Sequence, residues 1–242
     1  MHSVVDGAIT AAAAAGAGAG LWWYAAMWPQ SQIFGPQLIA GRDPMEAALT
    51  YDDGPNGDTT LRLLDILAEH DAHATFFLIG DCVRQQPQIA RRVAEAGHLI
   101  GNHSMTHPVL AWQSAARIRE ELSGCNAIFE DVIGAKARYF RPPHGARRPA
   151  VLRTARELGM TPVLWNVTAF DWNPISAEEI AGNIDRGIAT NRRKGRGSNI
   201  LLHDGGHMGL GQPRMPSLGA TAQVLAKARA GGMRFVMVDA WG

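Results

Sequence analysis

Five short polar patches stand out in the 242 residues: Thr50-Tyr51-Asp52-Asp53-Gly54-Pro55, His103-Ser104-Met105-Thr106-His107, Arg141-Pro142-Pro143-His144-Gly145, Asp171-Trp172 and Leu201-Leu202-His203-Asp204-Gly205. Two adjacent aspartates can divide a task, one carboxylate binding a metal while the other stays free as a base. Asp-Asp-Gly-Pro is also good turn chemistry, so alone the pair is balanced between a turn and a site. His103 and His107 have i, i+4 spacing, and on a helical turn both imidazoles would share a face and reach one ion. An Asp with two His is an open three-ligand set that leaves positions for water and substrate. Zinc is the first choice for such donors, with cobalt, nickel, iron or manganese as alternatives. His2, His70, His73 and His98 fall at termini, helix ends or strand starts and read as surface or packing residues. Cys82 and Cys125 lack metal-ligand spacing and read as structural thiols.

Side chains this far apart in sequence need a scaffold that gathers them. From about residue 46 the chain alternates β-rich runs with helical patterns. The expected strands are Ala47–Tyr51, Thr75–Ile79, His98–Asn102, Thr161–Val167, Asn199–His203 and Arg234–Val238, with a further short run leading into Arg141. Most lack clean alternation, as strands buried on both faces do in parallel sheets. Between them lie apolar stripes: Leu61, Leu64 and Leu67; then Ile118, Leu122, Cys125, Phe129 and Val132; then Ile180, Ile184 and Ile188 behind a Ser176–Glu179 capping box. Pro149 can open a helix and Gly159 can end it, while Ser217 and Gly231-Gly232 bracket the last one. This succession predicts one α/β domain, either a distorted, incomplete (β/α) barrel or an open doubly wound sheet. Both place chemistry at the C-terminal ends of the strands, where the five patches lie.

Composition bounds the alternatives. Hydrophobic residues make up 46% and charged residues 19%, with 23 Lys+Arg against 22 Asp+Glu. Enough apolar material is present for a core, which excludes disorder. The missing basic excess argues against nucleic acid as a partner. The charge deficit is concentrated in residues 1–41, where Asp6 is the only charged side chain. Two parts are therefore expected, an apolar segment over 1–41 and a globular domain over 42–242. Gly7–Trp28 is uncharged and, as a helix, would span about 33 Å, enough for a bilayer core. Trp22, Trp23, Tyr24 and Trp28 gather at its far end, as interfacial aromatics do, and Pro29 stops the helix. We read it as an anchor helix, against a cleaved signal peptide or a buried Ala/Gly-rich helix. Arg192-Arg193-Lys194-Gly195-Arg196 reads as a solvated basic loop.

In this order and spacing, the five patches resemble the polysaccharide deacetylase family, whose members carry the NodB homology domain (carbohydrate esterase family 4). The resemblance covers roughly residues 46–238. It implies a distorted, incomplete (β/α) barrel and a divalent metal used to remove acetyl groups from N-acetylated sugars. By resemblance, Asp52 is the general base, and Asp53, His103 and His107 hold the metal. Arg141 pairs with Asp52, the His144 backbone N–H donates to the oxyanion, and Asp171 orients His203, the general acid. Trp172 and Leu201 line the pocket for the acetyl methyl. Amide hydrolysis needs an activated water, a stabilised oxyanion and a proton for the departing amine, and this set supplies all three.

Some positions depart from the family pattern. Tyr51 replaces the commoner Phe, His144 stands where Tyr or Phe is usual, and Thr168 occupies the place of an Asp. No essential position is lost, so an active, monomeric enzyme is expected at the membrane or exported to the cell envelope, on its periplasmic side. Its substrate would be an N-acetylated glycan such as peptidoglycan or a chitin-like polymer. The alternatives are a deformylase or other amidohydrolase on a lipid-linked sugar, motivated by the apolar N-terminus, and a non-catalytic glycan-binding module.

Overall fold

A computed structural model describes residues 18–206 and 210–242. Its centre is an all-parallel sheet. Strand β1 (Glu46–Asp52) is flanked on one side by β2 (Thr75–Leu78), β3 (Leu99–Asn102), β4 (Tyr139–Phe140) and β5 (Thr161–Pro162). On the other side lie β7 (Ser198–His203) and β6 (Val167–Thr168), and β8 (Arg234–Phe235) pairs with the start of β1. Six of the seven β1 residues are buried, as a central strand covered on both faces requires.

The expected single strand over Thr161–Val167 is instead two short ones. Residues 161–162 pair with β4, and residues 167–168 pair with β7. One run of chain thus joins opposite ends of the sheet within a few residues, which draws the edges together and curls the sheet into an incomplete barrel. The seam is supplemented by Leu38, which forms a parallel bridge with Val163. The last expected strand is also shorter: β8 ends at Phe235, and Val238–Trp241 form a 3₁₀ turn.

The helices cover the outer face. Leu63, Leu64 and Leu67 of α2 (Gly57–Glu69) enter the core, as do Ile118, Leu122, Cys125 and Phe129 of α5 (Ala115–Ile133). Helix α6 (Pro149–Glu157) begins at its proline, and α7 (Ala177–Arg193) carries the full Ser176–Glu179 capping box. Helix α8 (Met215–Ala230) begins before Ser217, so Ser217 is not its cap. The smaller helices α3 (Gly80–Gln85) and α4 (Pro87–Glu95) fill the turn between β2 and β3. Both cysteines are buried and unpaired.

Residues 18–27 form the described part of helix α1. Ala25 and Ala26 are buried, whereas Trp22, Trp23, Tyr24 and Trp28 are exposed. Arg147 ties the end of α1 to the barrel through the carbonyls of Ala26, Trp28 and Ser31. No helix among the described residues is long and apolar enough to cross a membrane. Residues 1–17 of the expected anchor lie outside the described residues.

Leu49 sits fully buried in mid-β1. Leu49→Ala should lower unfolding free energy by about 3 kcal/mol, read as a lower urea midpoint at unchanged slope.

Candidate active site and metal centre

The five patches meet in one cavity of about 490 Å³ at the C-terminal ends of the strands. It is lined by Asp52, Asp53, His103, His107, His144, Trp172, Leu201 and His203, together with Gly145, Trp165, Gln212 and Arg214. Arg141 and Asp171 stand just behind the lining residues they contact.

Asp52 ends β1, and its neighbour turns sharply. Asp53 has φ +74, so the two carboxylates do not alternate as they would along a continuing strand. Asp53 Oδ1 lies 3.4 Å from His103 Nε2 and 3.2 Å from His107 Nε2. One donor atom from each of the three residues lies within 4.8 Å of the others. The Arg141 carbonyl can only accept, so its 2.8 Å contact makes His103 Nδ1 a donor and leaves Nε2 as the ligand atom. Burial opposes ionisation of Asp53, but the adjacent imidazoles of His103 and His107 outweigh it and hold the carboxyl well below the usual range. One carboxylate and two imidazoles in an open arrangement fit a divalent first-row metal.

The two histidines are not on a helical turn. They sit in a loop after β3, where Ser104 and His107 both have positive φ, at +67 and +58. A positive φ in a non-glycine residue costs on the order of 1–3 kcal/mol, so the surroundings must impose it. Glu121 of α5 does much of this. Its buried carboxylate accepts from the Met105 and Thr106 amides at 2.9 and 2.8 Å and from the Thr106 hydroxyl at 2.6 Å. Asn102 Oδ1 accepts from the Ser104 amide, and Ser104 Oγ from the His107 amide. Glu121 escaped the sequence reading because it lies within a helical pattern and only the fold brings it under the loop.

Arg141 is fully buried beneath the site. Its Nη1 donates to Asp52 Oδ1 and to Thr50 Oγ1, both at 2.8 Å, and its guanidinium lies over the Phe77 ring. Burial lowers its pKa, while Asp52 opposes that fall. The other Asp52 oxygen lies 3.7 Å from His103 Nε2, facing the metal-ligand cluster.

On the opposite flank Asp171 holds His203 twice. Its Oδ1 meets His203 Nδ1 and its Oδ2 accepts the His203 amide, both at 2.8 Å. Ser217 donates to the same Oδ2, which is the role it has instead of capping α8. Burial works against a charged His203, but Asp171 outweighs it, with help from Asp53 and Asp52, and raises the imidazole to about 9. Trp172 stands half-exposed with its ring edge-on to His203, and Leu201 packs with Leu164 and Trp165 at the cavity floor.

His144 occupies a 3₁₀ turn at φ +57, and its ring packs edge-on against His107. Gly145 follows at φ +66, and a Cβ there would meet Trp165 at 2.8 Å. Only glycine fits that position.

A curled parallel α/β sheet with three residues at its strand ends that could hold a metal is an arrangement suited to hydrolysis. The polysaccharide deacetylase family model matches residues 41–163. The chitooligosaccharide deacetylase of Rhizobium leguminosarum bv. trifolii is 37% identical over 166 residues, 69% of this chain and 74% of that protein. A peptidoglycan-N-acetylglucosamine deacetylase of Bacillus cereus is 34% identical over 194 residues, 79% of this chain and 85% of that protein. A second B. cereus protein of that name is 34% identical over 79% of this chain, which spans 66% of its length. Among solved structures, the Bc1960 peptidoglycan N-acetylglucosamine deacetylase superposes with TM-score 0.76 at 31% identity, covering 84% of this chain and 91% of that one. BA3943, a CE4 family pseudoenzyme from Bacillus anthracis, gives TM-score 0.72 at 26% identity, covering 86% and 66%. The chain belongs to the polysaccharide deacetylase family.

Removing the Glu121 carboxylate should release the histidine loop. Glu121→Ala should weaken zinc or cobalt binding about 10–100-fold by titration calorimetry, whereas the exposed Glu120→Ala on the same helix should leave it unchanged.

Proposed function

We propose that this chain is a metal-dependent N-deacetylase of an N-acetylated glycan, of the peptidoglycan or chitin-like kind, working at the cell envelope. The observation that carries this reading is the pair of braced groups flanking the metal-ligand cluster. Asp52 is fixed by Arg141 on one side, and His203 is fixed by Asp171 on the other. Both are present here although a pseudoenzyme shares the fold, so the residues rather than the fold favour catalysis.

In this reading Asp53, His103 and His107 hold the metal, zinc by donor type. A dication held there would lower the pKa of water and polarise the acetyl carbonyl. Asp52 receives the proton of the attacking water at the oxygen that Arg141 leaves unused. The His144 backbone N–H, in the turn at the cavity wall, is assigned as donor to the developing oxyanion by the family resemblance. His203 carries its proton at Nε2 and delivers it to the departing amine, because Nδ1 is committed to Asp171. Trp172 and Leu201 border the space for the acetyl methyl.

The relatives named for chitooligosaccharide and peptidoglycan deacetylation support this substrate class. We assign catalysis to residues 42–242, acting as a monomer. Residues 1–41 hold the exported domain at the membrane, a role supported by the exposed Trp22, Trp23, Tyr24 and Trp28.

The test is acetate release from N-acetylglucosamine oligomers, peptidoglycan, chitin and xylan. Wild type should release acetate from at least one of the N-acetylated substrates, and release from xylan alone would point to an O-acetyl esterase instead. Chelation should abolish this and zinc or cobalt restore it, and Asp52→Asn should lower kcat by about 10²–10⁴. Equal inactivity of wild type and Asp52→Asn across the panel would refute deacetylation. Formate release from an N-formylated amino sugar, with no acetate from the panel, would favour a deformylase.

Proton donation by His203 fails as the imidazole deprotonates. The rate should therefore hold below its pKa and fall as pH rises through about 9. Asp171→Asn removes the charge that raises this pKa, so the alkaline limb should move to lower pH.

A further inference from the structure

Arg147 is fully buried and has no carboxylate partner among the described residues. Its guanidinium is instead spent on main-chain carbonyls. Nη1 donates to Ala26 at 3.1 Å and Gly145 at 3.0 Å, while Nη2 donates to Trp28 at 2.6 Å and Ser31 at 2.9 Å. Its own amide donates to the Ala26 carbonyl at 3.1 Å. Burial alone lowers its pKa to about 10, so the side chain remains a cation at neutral pH. A buried cation without a counter-ion is costly unless strong acceptors surround it, and carbonyls at a helix C-terminus provide them.

One of those carbonyls belongs to the turn that presents the His144 amide. Two successive residues there, His144 and Gly145, have positive φ. Within the turn, the Gly145 and Ala146 amides donate to the Pro142 and Pro143 carbonyls. Trp165 bounds the turn on one side. On the other side the brace is Arg147, and through it the segment 26–31, which lies outside the residues matched by the family model.

We propose that Arg147 is a positioning residue that makes residues 26–31 part of the active-site scaffold, holding the His144 amide where the oxyanion develops. This rests on the assignment of that amide as the oxyanion donor. The N-terminal segment then has a catalytic consequence separate from any role as an anchor. Losing one preorganised oxyanion donor costs about 10²–10³ in kcat, and a displaced donor should cost part of that.

Kinetics and calorimetry on the full chain test this. Arg147→Ala should lower kcat about 10–100-fold with KM within about twofold. Dication affinity should fall far less than kcat, because the ligands sit after β1 and β3 and meet the turn through the His144 ring, which packs against His107. Arg147→Lys should recover part of kcat. A loss of melting temperature with unchanged kcat would overturn the proposal, as would a parallel loss of metal affinity. Hydrogen exchange on the wild type gives an independent check if the variants do not fold. The Arg147 and Ala146 amides should exchange together with those of residues 26–31, and protection of the turn that survives opening of that segment would overturn the proposal. Wild-type acetate release tests the deacetylase reading underneath, so its failure is distinguishable from failure of the brace.

Discussion

The site is built around a guanidinium that water cannot reach. Arg141 follows β4, yet its side chain reaches Thr50 and Asp52 of β1 and the Phe77 ring of β2, while its carbonyl fixes the tautomer of His103. A buried charge must find partners or cost several kcal/mol. Here the partners come from several strands, so the guanidinium is satisfied only when those strands are in register. The same condition sets the positions of Asp52 and His103. Folding the core and assembling this side of the site are therefore one event.

Strain is concentrated where chemistry is expected. Asp53, Ser104, His107 and His144 are non-glycine residues at positive φ, and all lie in the cavity wall or the loops that form it. Each is imposed by something rigid outside the loop. Asp53 is turned directly off the end of β1, the histidine loop is fastened by Glu121 and Asn102, and the His144 turn lies between Trp165 and Arg147. The strained residues present functional groups, while Glu121, Asn102 and Arg147 brace them from buried positions behind the cavity lining. This division lets the loops point side chains and amides into the cavity without collapsing to relaxed geometry.

That division also explains what the sequence made legible. Asp52, Asp53, His103, His107 and His203 were visible because their types are chemically loaded and they fall at strand ends, where an α/β fold gathers its site. The helix stripes were visible because burial imposes a period on them. Glu121, Ser217 and Arg147 were not, since each is an ordinary polar residue within or beside a helical pattern. Their importance depends on partners far along the chain, Thr106, Asp171 and Ala26. The split of Thr161–Thr168 was hidden for a related reason. Its composition is that of one strand, and only closure of the barrel gives its two ends different neighbours.

The register of two central strands sets the relation between Asp52 and His203. Asp52 and His203 are paired positions at the ends of β1 and β7. Parallel neighbours lie about 4.8 Å apart, so the two groups would form a simple ion pair if nothing else held them. Each is instead engaged from its outer side. Arg141 approaches Asp52 from the β4 side, and Asp171 approaches His203 from the β6 side. Arg141 occupies one Asp52 oxygen and Asp171 occupies Nδ1 of His203. A strand order that placed Arg141 or Asp171 between β1 and β7 would set it against the group of its own sign, Arg141 beside the imidazolium or Asp171 beside the Asp52 carboxylate. The order β4-β3-β2-β1-β7-β6 keeps the two counter-charges on opposite flanks, which lets a carboxylate and an imidazolium remain separate next to each other.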